Sequence, residues 1–144
     1  MKIKLLYLLG LAVCFLTIGC QSEKSSKQDE LGKRFFENYS ARTDYNKMLS
    51  FYNDSIVYEN VGQYTGETTI APRYLLDEII RWNDQTLTYD QNKLLNVKEL
   101  FSNDSMIIAN GEFSGYTYNG MKFPPMKFTT YLYLDKQSKI KKQV

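Results

Sequence analysis

Apolar positions fall into three regimes along this chain. Residues 5–18 form an almost unbroken apolar run. Between about Asp29 and Trp82 apolar residues recur mostly at helical spacing. Leu31, Phe35, Phe36 and Tyr39 fall on one face of a first helix, and Ser40 to Thr43 breaks the pattern. Thr43 or Asp44 can cap a second helix with a stripe of Tyr45, Met48, Leu49 and Tyr52. Asn53-Asp54 stops that helix, and Ile56 to Asn60 is β-prone. Gly62 and Gly66 bracket a loop. Pro72 suits the first turn of a third helix, with Leu75, Leu76, Ile79 and Ile80 facing inward and Trp82 near its end.

After Asn83 the pattern becomes strand-like, in segments of about 86–101, 105–122 and 127–135. Asn103-Asp104 and Asn119-Gly120 signal turns, and Pro124-Pro125 interrupts pairing. Asp135 to Ser138 turns the chain into a final strand over 139–144. There is no internal repeat and no sign of a second domain. The order predicts an α+β fold over 29–144. A curved antiparallel sheet wraps around three N-terminal helices as a cone with a pocket.

The N-terminal regime predicts export. Lys2 and Lys4 precede the apolar run, which ends in Gly19-Cys20. That is the layout of a secretory signal peptide, and the run is short for a transmembrane helix. Leu16 to Cys20 resembles a bacterial lipobox, although Thr17 and Ile18 depart from its usual residues. The resemblance implies cleavage before Cys20 and acylation of its thiol, palmitate being a typical chain. Residues 21–28 (QSEKSSKQ) then read as a flexible polar tether. Cys14 would leave with the signal, so the mature domain would hold neither a free thiol nor a disulfide. The expected location is the bacterial cell envelope, lipid-anchored. Gln21 favours the outer over the inner membrane, because Asp after the Cys is linked to inner-membrane retention in some bacteria.

Composition narrows the chemistry. The formal charge is +2, and without Lys2 and Lys4 the acidic and basic residues balance. No basic field is present to hold nucleic acid. The chain has no His, the commonest general base and zinc ligand. No Gly-rich phosphate loop, Ser nucleophile elbow or metal-ligand spacing appears, so neither metal nor cofactor is expected. Aromatics reach 15%, with twelve Tyr, which suits a sheet with an amphipathic cavity.

The stretch from Arg34 to Gly66 resembles the SnoaL-like branch of the nuclear transport factor two-like superfamily, which includes ketosteroid isomerase. An aromatic helix (RFFENYSA) leads to a second helix running from Asp44 to Asp54. The strand Val57-Tyr58-Glu59-Asn60 follows, and Phe128 to Asp135 with Lys139-Ile140 completes the likeness. Members usually run a few residues past the point matching Val144, so either a short last strand or a truncated chain is expected. The isomerase chemistry needs a carboxylate base, a helix Tyr and a protonated Asp. By position these fall on Asn60, Phe35 and Thr130, none of which can do the work, so that activity is not expected.

The resemblance implies a pocket, and the expected lining is Phe35, Tyr39, Ile56, Tyr58, Asn60, Trp82, Phe128, Thr130 and Leu132. Of these, Phe35, Tyr39, Tyr58, Asn60, Trp82, Phe128 and Thr130 are the candidate ligand-binding residues. A non-catalytic domain binding a small amphipathic ligand or a partner protein is the favoured function. The alternative is a hydro-lyase, cyclase or isomerase using Glu112 or Glu59, although either can equally be a solvated strand residue. Members of the superfamily often dimerise through the outer sheet face, and Tyr116, Tyr118, Tyr131 and Tyr133 could cover one here.

Overall fold

The structure is a computed structural model, described here for residues 27–60 and 67–144. The signal segment, Cys20, residues 21–26 of the tether and the loop bracketed by Gly62 and Gly66 lie outside the described residues.

Helix α1 covers 27–41. It is already formed at Lys27 and Gln28, two residues earlier than the apolar pattern predicts. Tertiary contacts explain the extension: Gln28 is buried, and its Nε2 donates to Ser138 Oγ at 3.2 Å. Phe35 and Phe36 are buried as expected, with Tyr39 beside them. The other side of α1 lies on the sheet at Gly32. A Cβ there would come within 2.9 Å of Leu100 and 3.0 Å of Ile107.

Helix α2 (Tyr45–Phe51) is capped by Asp44, whose carboxylate accepts the Lys47 N–H at 2.8 Å. It stops at Phe51, earlier than its stripe suggests. Strand β1 (Tyr52–Asn60) starts at once and runs through Asn53-Asp54. Asn53 is held there by its side chain, which donates to Asp135 at 3.0 Å. Strand β2 (Glu67–Pro72) has no counterpart in the sequence reading. It forms because β1 offers an edge, and the two pair from Ser55↔Pro72 to Asn60↔Glu67. A short 3₁₀ turn (Arg73–Leu75) and helix α3 (Leu76–Ile80) follow.

The first two strand-like segments break up, whereas the third stays whole as a single strand over 126–134. The first gives β3 (Leu87–Tyr89) and β4 (Leu95–Asn103). The second gives β5 (Met106–Phe113) and β6 (Tyr116–Tyr118). Strands β7 (Met121–Phe123), β8 (Met126–Leu134) and β9 (Ile140–Gln143) complete the chain. The split has a local cause. At Gly115 the two turns come close, and a Cβ there would meet the end of the Asp90 side chain at 2.4 Å. Asp90 N–H donates to Gly115 O there at 2.8 Å. The chain leaves the main sheet and builds a second one.

The main sheet has six strands in the order β2-β1-β9-β8-β5-β4, and the small sheet has the order β3-β6-β7. The main sheet is mixed, because β9 inserts between β1 and β8 and runs parallel to β1. The curved sheet and helices form an α+β cone. Its interior is filled by Phe35, Met48, Tyr52, Ile56, Leu76, Ile107, Leu132 and Ile140, all at most 1% exposed. Asn119 and Gly120 have φ of 48° and 79°, and they form the two-residue turn of the β6–β7 hairpin.

Candidate functional site

Helix α1 ends at the site because of two polar residues. Ser40 Oγ donates to Leu95 O at 2.7 Å and accepts the Leu95 N–H at 3.1 Å. Its carbonyl accepts the Leu94 N–H at 2.9 Å, so the helix end is fastened to the start of β4. Two residues on, Arg42 adopts a left-handed φ of 49°, uncommon for a side chain of its size. That turn throws its guanidinium against α3. Arg42 Nη1 donates to Arg81 O and Nη2 to Ile80 O, both at 2.8 Å. The cation also stands 5.3 Å from the ring centroid of Trp82 and 5.6 Å from those of Tyr39 and Tyr89.

Two cavities flank this cluster. The larger, about 430 Å³, lies between β1 and β8, with Phe36, Leu95 and Phe128 among its walls. The smaller, about 380 Å³, lies between α1, α3 and the small sheet, with Arg42, Tyr89, Tyr116 and Tyr118. Both are lined by Tyr39, Tyr58 and Phe113. A wider groove of about 620 Å³ runs along the exposed flank of α1. Lys33, Glu37, Lys93, Lys98 and Glu99 make it a charged surface feature outside the cone.

The phenols at the mouth stay neutral well into alkaline conditions. Burial raises the pKa of Tyr39 and Tyr58, with Arg42 pulling both partly back. Burial likewise pushes Tyr89 up to about 12, again against the pull of Arg42. Tyr52 is raised well above its ordinary value by burial, and its hydroxyl donates to Gln143 Oε1. Neutral phenols can donate hydrogen bonds, so the mouth offers donors on an aromatic frame.

The candidate residues sort into three groups. Tyr39, Tyr58, Asn60, Phe128 and Thr130 line the larger cavity. Thr130 also spends its hydroxyl on Val144 O at 2.8 Å. Trp82 is a buttress: its ring packs 5.7 Å from Tyr45 and 6.3 Å from Tyr39, below the Arg42 cation. Phe35, Ile56 and Leu132 are filled core, with the Phe35 ring enclosed by Phe36, Tyr39, Phe51 and Tyr52.

The two carboxylates are paired. Glu112 alternates with buried Gly111 on β5, and its side chain is 41% exposed and 3.6 Å from Lys98. Glu59 lines the larger cavity, but Lys142 holds it at 2.8 Å. Tyr116 and Tyr118 do not share a face with Tyr131 and Tyr133 as expected. They belong to the small sheet, where Tyr116 stacks on Phe123 at 4.8 Å and Tyr118 lies under Arg81 at 4.6 Å.

Arg42 was missed by pattern reading, which placed it in the break between helices. A signal was present: a lone Arg between Tyr39 and Tyr45, in a chain rich in Tyr, is a cation set among rings. Among the described residues no group of three or more Cys, Asp or Glu gathers as for a metal ion. Among them, too, no helix is long and apolar enough to cross a membrane.

This architecture is that of the SnoaL-like and nuclear transport factor two-like cone fold. A search of solved structures finds it in several proteins. A Mycobacterium tuberculosis epoxide hydrolase of the LEH-like type matches with a TM-score of 0.62 at 10% identity, covering 83% of this chain and 80% of the other. A protein from Mesorhizobium loti assigned as a SnoaL-like polyketide cyclase gives 0.60 at 15%, covering 79% and 93%. An NTF-2 like protein of unknown function from Burkholderia xenovorans gives 0.60 at 16%, covering 85% and 81%. At these identities the likeness is one of fold. No protein-family profile and no curated protein matches the chain.

Proposed function

We propose that this domain binds a small amphipathic molecule in the mouth of the cone and holds it without transforming it. The carrying observation is the pair of cavities that share Tyr39, Tyr58 and Phe113 as lining residues beside a filled core. Aromatic walls with a few polar groups are the usual make-up of small-molecule sites, and both volumes fall within the usual range. The solved structures of this fold include an epoxide hydrolase and proteins assigned as polyketide cyclases, which supports a small-molecule role. A binding role is favoured over catalysis because Glu59 and Glu112 are both tied to lysines. Native mass spectrometry of the full-length protein purified from its own host tests this. A retained small molecule is the expected result, and an apo mass under conditions that preserve the fold would count against it.

A second reading is an enzyme using Glu59, since that residue lines the larger cavity. It requires Lys142 to release the carboxylate. Glu59→Gln separates the two: retained ligand binding is expected, and a substrate that accumulates only on the variant would favour the enzyme.

The domain is also proposed to be tethered to the bacterial envelope through acylated Cys20, in the outer rather than the inner membrane. The signal-like segment and lipobox resemblance support this. Palmitate labelling and membrane fractionation of Cys20→Ser should both fail if the lipid sits there. Self-association through the convex face bearing Tyr131 and Tyr133 is proposed on the aromatic character of that face. Sedimentation of a Tyr131→Glu variant tests it. Docking of a partner protein on the same face is the remaining alternative, and a monomeric parent chain would favour it.

A further inference from the structure

We infer that the ligand carries a carboxylate, and that Arg42 and Tyr89 receive it in the smaller cavity. The inference rests on the small-molecule reading above and gives that molecule a charge and an orientation. Among the described residues, three buried side-chain polar atoms have no hydrogen-bond partner: Gln28 Oε1, Arg42 Nε and Tyr89 Oη. Two of the three belong to side chains lining this one cavity. Buried polar groups in folded proteins nearly always have partners, so two unsatisfied donors on side chains that wall one cavity point to a polar partner taken up there.

Both atoms can donate, and together they define an acceptor. Charge defines it further. Among the described residues no Asp or Glu lines the smaller cavity. Among the described residues no carboxylate pairs with Arg42, whereas the neighbouring Arg81 is paired with Asp84 at 3.5 Å. Backbone carbonyls, a side-chain hydrogen bond with Tyr39 and ring faces serve the Arg42 guanidinium without cancelling a unit charge. A cation in a chamber walled by Leu87, Leu94 and Met126 is expensive to leave without a counter-ion. A neutral carbonyl would use the two donors but leave that charge standing. A phosphate would bring more acceptor oxygens than the two open donors can serve. A carboxylate matches both the charge and the donor count. The apolar body then lies against Tyr39, Tyr58 and Phe113, the rings that line both cavities.

Trp82 is the only tryptophan of the chain and sits under Arg42, so its emission reports on the site. The full-length protein in maltoside micelles would be titrated with phenylpropionate and with its neutral isostere phenylpropanamide. The acid is expected to bind about tenfold more tightly than the amide, as suits a charge-assisted hydrogen bond. Tyr89→Phe is expected to weaken acid binding several-fold while leaving the fold intact, since that hydroxyl has no partner to lose. Arg42→Gln is expected to abolish the preference for the acid, and Arg42→Lys to keep part of it. Equal affinity for acid and amide, or unchanged acid binding in Tyr89→Phe, overturns the carboxylate and leaves the amphiphile reading standing. Failure of both compounds to bind overturns that reading as well.

Discussion

The guanidinium of Arg42 stands 5.3 Å from the ring centroid of Trp82, with two of its nitrogens closed on the last carbonyls of α3. One side chain therefore joins the end of α1 to the end of α3. It caps orphan carbonyls where a cation also meets the negative end of the helix dipole.

Arg42→Gln should cost about 2 kcal/mol or more of stability, from two charge-assisted hydrogen bonds and the contacts with three rings. Urea unfolding followed by Trp82 emission measures it. A loss within experimental error would mean that the α3 end is held by other contacts.

Tyr52 and Tyr89 should answer the same substitution with opposite signs. Tyr52→Phe removes a buried hydrogen bond and leaves Gln143 Oε1 unpaired, which costs about 1–3 kcal/mol. Tyr89→Phe removes a hydroxyl that has no partner, so stability without ligand should stay level or rise by up to about 1 kcal/mol. Parallel melts of the two variants provide the comparison.

Gly111→Ala should be far more damaging than Gly115→Ala. At Gly111 a Cβ would lie 2.3 Å from the Asn96 carbonyl oxygen and 2.8 Å from the Phe128 ring, next to the bulge between Val97 and Glu99. Backbone cannot step aside there without breaking β4–β5 pairing. At Gly115 the nearest atom is the end of the exposed Asp90 side chain, which can rotate away. Expression and thermal midpoints of both variants test the ranking, and similar midpoints would contradict it.

Stability should be level through neutral and mildly alkaline pH and fall above about pH 10, where unfolded tyrosines ionise. The sign follows from linkage. Tyr39, Tyr52, Tyr58 and Tyr89 have folded pKa values raised by burial, so above their unfolded pKa the native state holds more protons than the unfolded one. Each rise in pH then favours unfolding until the folded pKa is passed, at about 12 for Tyr89. Denaturant midpoints against pH, with phenolate absorption alongside, provide the check. A flat profile to pH 12 would show that these phenols do not differ between the two states.

Glu112→Gln should change stability by less than about 1 kcal/mol, as expected of an exposed ion pair. Ligand retention should be unaffected, since Glu112 lies on the convex side of β5.

The sequence by itself determined the cone. The apolar stripes at Phe35, Phe36 and Met48, the turn at Asn119-Gly120 and the break at Pro124-Pro125 are local signals, and each has one low-energy outcome. Tertiary structure decided what had no local signature. Strand β2 exists because β1 presents an edge to it. The small sheet exists because β3 and β6 pair with each other once the chain turns away from the main sheet at Asp90 and Gly115. The site depended on both. The family resemblance assigns Tyr39, Tyr58 and Phe128 to the mouth, but neither it nor the period of strand and helix can tell a lining ring from a filled core, and Phe35 is core. Arg42 is polar and sits between elements, so no periodicity points to it. It gains its place only when the ends of α1 and α3 are brought together around Trp82.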